Sequence, residues 1–361
     1  MQNYSSYIEN LDGKVLLGCD GFIDEVYQVV QQRQSVSDFS AMEKLRLFGE
    51  LIVSRAEGGV GLEIVHKRRC EGGFVINTGR VAGLLGIRPT LLGLFGQDKI
   101  DPAFAFFDDI CELVSLGDPA LTIAFEFNDG KVLMSDLKTV ANLTWDDVVE
   151  RLGEETLKKL FSSVDILGLG YWSLTPDFDN LLSGFINLSE TARPPKRMFF
   201  DFADIGKKSA ESLAESLELI RELNIGIPMT LSANEHEAGE LFRVFDVRDP
   251  GENPAAVNSA LLRVREAIEI DEVIVHTPTF AAASSSTGEE AFVVQDTQTK
   301  VVRTAGAGDS FNGGYLCASL GDLSIKERLV IANATTAFFV THARPPNKEE
   351  LIAQIEMASD K

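Results

Sequence analysis

Short apolar runs without period-2 alternation recur along the chain, each followed by a helix-like stretch, and this pattern narrows the fold more than any other feature. The runs are KVLLGCDGF (14–22), TLLGLFG (90–96), VDILGLG (164–170), KRMFFDF (196–202), MTLS (229–232) and EVIVHT (272–277). Runs of this kind suit strands covered on both faces. Between them lie helix-like segments at Val75–Leu85, Pro102–Leu116, Trp145–Ser162, Asp177–Glu190, Lys207–Leu223, Asn234–Phe242 and Pro254–Ala267. The alternation predicts a mostly parallel sheet held between layers of helices. Two pieces break the rhythm. VGLEIVHKRRC (60–70) and LTIAFEFNDGKVLMSD (121–136) read as exposed strands, the second with an Asn128-Asp129-Gly130 hairpin turn. With EVYQVVQQ after Asp24 they would form a small antiparallel sheet inserted into the α/β core, able to act as a lid.

Charge removes several function classes. The 361 residues carry 33 Lys+Arg against 55 Asp+Glu, a net charge of −22. Such a field repels phosphate backbones and anionic lipid, so neither nucleic acid nor a membrane surface is expected as a partner. The longest stretch free of Asp, Glu, Lys and Arg, 273–288, carries His276 and Pro278 and is too short and polar to span a bilayer. Cys19, Cys70, Cys111 and Cys317 form no C-x-x-C pair, so no disulfide framework or zinc knuckle is read. The N-terminal MQNYSSYIENLDGK lacks the basic and apolar regions of a signal peptide. A cytoplasmic protein is the expectation.

The most informative stretch is VVRTAGAGDSFNGGYLCASL (301–320). It reads as an apolar strand, a turn at Gly306-Ala307-Gly308, then a helix. Such a turn offers free N–H groups and the positive helix end to an anion. Asp309 stands where the helix begins, as an N-cap or as a general base beside an anion cradle. Other motifs fail on spacing. A dinucleotide fingerprint from Gly306 needs glycine at Phe311, and no P-loop or G-x-S-x-G elbow occurs. The four histidines (66, 236, 276, 342) are scattered and form no metal motif.

TAGAGDSFNGG resembles the C-terminal signature D-T-x-G-A-G-D of the ribokinase/PfkB family of carbohydrate kinases. Upstream, EGGFVINTGRVAGLLGIRPTLLGLFGQD (71–98) resembles the family's G-G-x-x-x-N block, and Asn234-Glu235-His236-Glu237 its N-x-x-E motif. GCDGFID (18–24) resembles its first strand, which ends in a substrate-contacting Asp. The resemblance implies a ribokinase-like three-layer α/β/α sandwich with a mostly parallel central sheet. In that division 1–24, 72–120 and 138–361 form the kinase core, 25–34, 60–71 and 121–137 the β lid, and 35–59 a helical insertion.

It also implies roles, residue by residue. Asp309 would take the proton from the acceptor hydroxyl, and the N–H groups of the turn through Gly306, Ala307 and Gly308 would hold the γ-phosphate. Asp24, Gly72, Gly73 and Asn77 would hold the acceptor's hydroxyls. Asn234, Glu237, Thr277, Thr279, Thr304 and Asn333 would line the ATP site, with Glu237 placing Mg²⁺ through water.

Three departures stand out. Arg303 replaces the signature's first Asp, and an arginine cannot ligate a cation, which counts against a monovalent-cation requirement. HTPTFAAASSS replaces the family's T-x-G-x-x-G phosphate turn, with Pro278 and Ala281 where glycines are expected. Either Thr277 and Thr279 hydroxyls hold phosphate there, or ATP binding is altered. Ala343 replaces a commonly found glycine. The leading expectation is ATP- and Mg²⁺-dependent phosphorylation of a sugar, or of a nucleoside, with a homodimer as one open expectation for the assembly. The other reading of function is a catalytically silent relative that binds such ligands without transfer.

Overall fold

The structure, a computed structural model, describes residues 4–295 and 301–359. Its strands among these residues are β1 (Val15–Gly18), β2 (Phe22–Arg33), β3 (Phe39–Ala41), β4 (Ile64–Gly72), β5 (Thr90–Gly93), β6 (Glu112–Ser115) and β7 (Ala120–Phe127). They continue as β8 (Gly130–Asp136), β9 (Ile166–Leu169), β10 (Arg197–Asp201), β11 (Met229–Asn234), β12 (Glu272–His276), β13 (Phe280–Ser285) and β14 (Glu290–Val294). Nine of them form the main sheet in the order β14-β13-β12-β11-β10-β9-β1-β5-β6. From β6 through β12 every neighbouring pair is parallel, and β13 and β14 close one edge antiparallel.

The missing period-2 signal has a simple cause: consecutive strand residues enter opposite helix layers. Leu16, Met198, Phe200, Val273 and Val275 face one apolar core, with the helices Phe178–Thr191 and Ala210–Gly226. Leu17, Phe199 and Ile274 face the other, with Phe74–Leu84, Ala307–Ala318 and Ile325–His342. Each fully buried side chain of this size contributes about 1.5–3 kcal/mol, so both faces demand apolar residues.

The second sheet is built on the twelve-residue β2. It pairs antiparallel with β3 and β4 and parallel with β7, which pairs antiparallel with β8. The expected antiparallel lid is therefore mixed, because β2 and β7 both leave the main sheet in the same direction. The helix Leu45–Ser54 covers part of this sheet through Phe48, which packs with Phe125 and Phe127.

Several segments differ from the sequence expectation. The run 14–22 is two strands, because the chain turns out of the main sheet after Gly18 and enters the second at Phe22, putting Asp24 on β2. The helix expected over 102–116 is a 3₁₀ helix, Pro102–Asp109, followed by edge strand β6. The stretch 145–162 is two helices, Trp145–Leu152 and Glu154–Ser163, parted at Gly153, whose φ is +76°. Residues 301–306 are irregular rather than a strand, since the N–H groups of Val302 and Arg303 bond to the Val340 carbonyl at a helix end instead of a neighbouring strand. Ala343 caps the helix Ile325–His342 at φ +59°, which explains the preference for glycine there.

At the amino end of β12, opposite the site described below, the buried Glu272 accepts from Thr230 and Tyr315, each at 2.9 Å, and pairs with Arg328 at 2.9 Å. This ties two strands to two of the helices of one layer, Ala307–Ala318 and Ile325–His342. Glu272→Gln leaves the buried Arg328 uncompensated and is expected to lower stability by about 3–5 kcal/mol. Urea unfolding reads this, and a loss below about 1 kcal/mol would mean the pair is no more than surface-like.

Candidate active site

In open α/β sheets ligands bind at the carboxyl ends of the strands, where the strand order reverses. Here the chain builds outward from β1 to β5 and β6, then returns to β9 on the other side of β1. At that crevice stand Asp20 after β1, Tyr171 after β9, Asp201 ending β10, Asn234 ending β11 and His276 ending β12. Three helices begin at the same edge, at Phe74, Glu235 and Ala307. Asp20 accepts from the N–H groups of Phe74 (3.0 Å) and Val75 (3.2 Å), and Asn234 forms a capping box with Glu237.

Asp309 lies in the first turn of Ala307–Ala318, 8% exposed. Asn77 reaches it from the Phe74–Leu84 helix, its Nδ2 donating to Oδ2 at 2.8 Å. Burial raises the Asp309 carboxyl to about 7, and the charge of Asp201 adds to this. Hydrogen bonds from Asn77 and the Tyr171 hydroxyl, with the charge of Lys131, pull it back. Asp201 is raised to about 6 by burial, against hydrogen bonds from the Ala203 N–H (2.8 Å) and the Asn312 amide. Glu237 is raised to about 9 by burial, then by Asp201. A carboxyl near 7 at a helix N-terminus can exchange a proton with a hydroxyl at neutral pH.

Two adjoining cavities meet at this turn. The smaller, about 290 Å³, is lined by Tyr171, Asp201, Asp204, Lys207, Glu237 and Asp309 among others. The larger, about 580 Å³, is lined by the polar Asn234, His236, His276 and Thr304 and by the apolar Val301, Phe311, Ala337 and Val340. That mixed lining suits a ligand that presents both polar and apolar parts. Among the described residues no group of three His, Cys, Asp or Glu is arranged to hold a metal. The carboxylates of the smaller cavity nevertheless fit Mg²⁺, which keeps much of its water and shares phosphate oxygens instead of needing a protein cage.

The expected site residues divide. Asp309, Gly306, Gly308, Asn77, Asn234 and Glu237 converge on the smaller cavity or its wall, and Ala307, Thr304 and Thr277 line the larger one. The Ala307 N–H closes a turn on the Thr304 carbonyl at 3.0 Å and so is not free in this turn. Thr279 and Asn333 lie elsewhere. Thr279 is in the hairpin turn, and the Asn333 amide donates to the Val293 carbonyl at 3.1 Å and lines a separate cavity. The altered turn is shorter than the sequence implied: β12 and β13 pair with His276 opposite Ala281, so Ala281 is a buried strand residue. The Thr277 hydroxyl accepts from the N–H groups of Thr279 (3.1 Å) and Phe280 (3.0 Å), closing that hairpin.

Register defines the face of the second sheet turned toward the site. Asp24 lies between Cys70 and Thr122, and Arg68 and Lys131 stand further along the same face. Burial raises the Asp24 carboxyl, while Lys131, Thr122, Arg303 and Arg68 draw it back. A Cβ on Gly72 would sit 3.5 Å from that carboxylate, so the Gly72 backbone and the Asp24 carboxylate stand together. At Gly73, φ is +107° and a Cβ would fall 2.4 Å from Asp20 Oδ1, so only glycine fits. Arg303 donates from Nε to the Ala305 carbonyl (3.0 Å), its guanidinium over the Phe339 ring.

Asp20, Tyr171, Asp201 and His276 escaped the sequence reading. A carboxylate directly after an apolar run, as in FFDF, is the signal for Asp201. Tyr171 has none, because its left-handed backbone (φ 61°) is imposed by the fold.

Fold and site define a carbohydrate kinase of the ribokinase/PfkB class, an enzyme that phosphorylates sugars. Within it the chain belongs to the prokaryotic ketohexokinase family, whose family model matches residues 7–357. It is 29% identical over 356 residues to a ketohexokinase of Haloferax volcanii, covering 96% of this chain and 92% of that one. Solved structures share the fold. An Escherichia coli phosphofructokinase-2 variant superimposes at a TM-score of 0.66 with 17% identity, covering 96% of this chain and 99% of that one. A Cryptococcus neoformans ribokinase in complex with ADP does so at 0.64 with 15% identity, covering 96% and 99%.

The hydrogen bond from Tyr171 favours the ionised form of Asp309. Tyr171→Phe is therefore expected to raise the Asp309 carboxyl above about 7. Carbon-13 NMR titration of aspartate-labelled protein reads the change directly. An unmoved titration would show that the phenol does not bond to this carboxylate.

Proposed function

We propose that the chain transfers the γ-phosphoryl group of ATP to a hydroxyl of a ketohexose, with Asp309 as general base. The observation that carries this is the position of Asp309, buried at a helix N-terminus, bonded to Asn77 and set where two cavities meet below the Asp24 face. The proton passes from the acceptor hydroxyl to Asp309, the new O–P bond forms, the bond to the β-phosphate oxygen breaks and ADP leaves. N–H groups at the head of the helix Ala307–Ala318 stabilise charge on the transferring group. Asp24, Gly72, Gly73 and Asn77 orient the sugar.

Glu237, through water, and the Asn234 side chain would hold Mg²⁺, whose chemistry is neutralisation of the phosphate chain. Thr304 and Thr277 border the nucleotide, and Arg303 stands beside the loop as a fixed cation, so no monovalent ion is required. Lys131 and the rest of the second sheet close over the sugar and exclude water. The other face of that sheet exposes Leu121, Ile123 and Met134, which suits pairing with a second copy. A cytoplasmic location fits cysteines that are all free, and no described helix is long and apolar enough to cross a membrane.

Asp309→Asn keeps the size of the side chain and one acceptor oxygen for Asn77 but removes the base. It is expected to lower kcat by about 10²- to 10⁴-fold with an unchanged melting temperature. In the wild type kcat/KM falls as pH drops below about 7, because protonation of Asp309 removes the acceptor for the hydroxyl proton. Coupled ADP assays between pH 5.5 and 9 read both effects. Unchanged turnover in Asp309→Asn would overturn the assignment of the base.

A further inference from the structure

The hairpin after β12 supplies few donors to a phosphate chain. Pro278 has no N–H, and the Thr277 hydroxyl is engaged within the turn. What stands at the junction of the two cavities is His276. Its backbone is fixed between strands, opposite Asn234 on β11 and Ala281 on β13. Its ring packs on Phe311 with centroids 4.9 Å apart. The Cε1–Nε2 edge lies over Gly308, where a Cβ would sit 3.2 Å from Cε1 and 3.6 Å from Nε2. Glycine at 308 therefore lets the imidazole edge reach the turn that faces the phosphates. His276 lines both cavities, and its ring makes no hydrogen bond to another side chain or backbone group among the described residues.

We propose that His276 is a nucleotide-binding residue whose imidazole N–H donates a hydrogen bond to the phosphate chain where it passes from the larger cavity to the smaller. This extends the kinase reading above and rests on it. A neutral imidazole carries one N–H and one acceptor nitrogen, so the tautomer with the N–H toward Gly308 presents the donor. The ring takes over a task the Thr-Pro-Thr turn cannot perform.

The test uses the full chain with His276→Phe, which keeps the stack on Phe311, His276→Leu as a second loss variant, and His276→Gln, which restores an N–H donor. His276→Phe and His276→Leu are expected to raise KM for Mg-ATP about tenfold or more, with KM for the sugar unchanged. They also reduce the rise in melting temperature produced by Mg-ADP. His276→Gln recovers most of both. Wild-type affinity for Mg-ATP and Mg-ADP in either loss variant would overturn the proposal and leave His276 as packing for Phe311. So would a loss that His276→Gln does not relieve. If the wild type released no ADP with any sugar, the kinase reading would fail, while the Mg-ADP melting shifts would still decide the role of His276.

Discussion

Removing several carboxylates from water at one edge of a sheet is the constraint around which this molecule is arranged. Asp20, Asp201, Glu237 and Asp309 are all buried at the carboxyl ends of the strands, where desolvation favours their neutral forms. The opposing influence is a convergence of helix N-termini. Helices starting at Phe74, Glu235 and Ala307 direct unpaired N–H groups and positive dipole ends into the same space. Asp20 and Glu237 are held by such N–H groups, and Asp309 sits within one helix's first turn. The same field that tolerates carboxylates favours phosphate, so one arrangement suits both a buried carboxylate and an anionic ligand.

The two sheets divide the remaining work. The main sheet is apolar on both faces and holds the carboxylates in place, with Glu272 and Arg328 locking its far end. The second sheet is polar toward the site and carries Asp24, Thr122, Arg68 and Lys131. It is joined to the core by the short turn between β1 and β2 and by the adjoining turns at Gly72 and Ala120. Lys131 of this sheet draws down the carboxyls of both Asp24 and Asp309, so the two are electrostatically linked across the site.

The sequence made the core strands legible because burial on both faces forces continuous apolar runs, and it made Asp309, Asn77, Asn234 and Glu237 legible because turns and caps have local chemistry. Residues set by tertiary pairing were not. Ala281 looked like a defective turn because AAASSS carries no strand signature until it pairs with β12. Asn333 sits in a helix near the site, but its amide turns to the Val293 carbonyl, which no local pattern encodes. Tyr171 and His276 reach the site through backbone conformation and sheet register.

The most direct test of the central claim is phosphorus-31 NMR of the protein with Mg-ATP and a ketohexose. The account predicts a sugar phosphate resonance growing in step with ADP, and no inorganic phosphate in its place. Binding of both ligands without ADP formation would contradict it and mark the buried carboxylates as remnants of a site that no longer transfers phosphate.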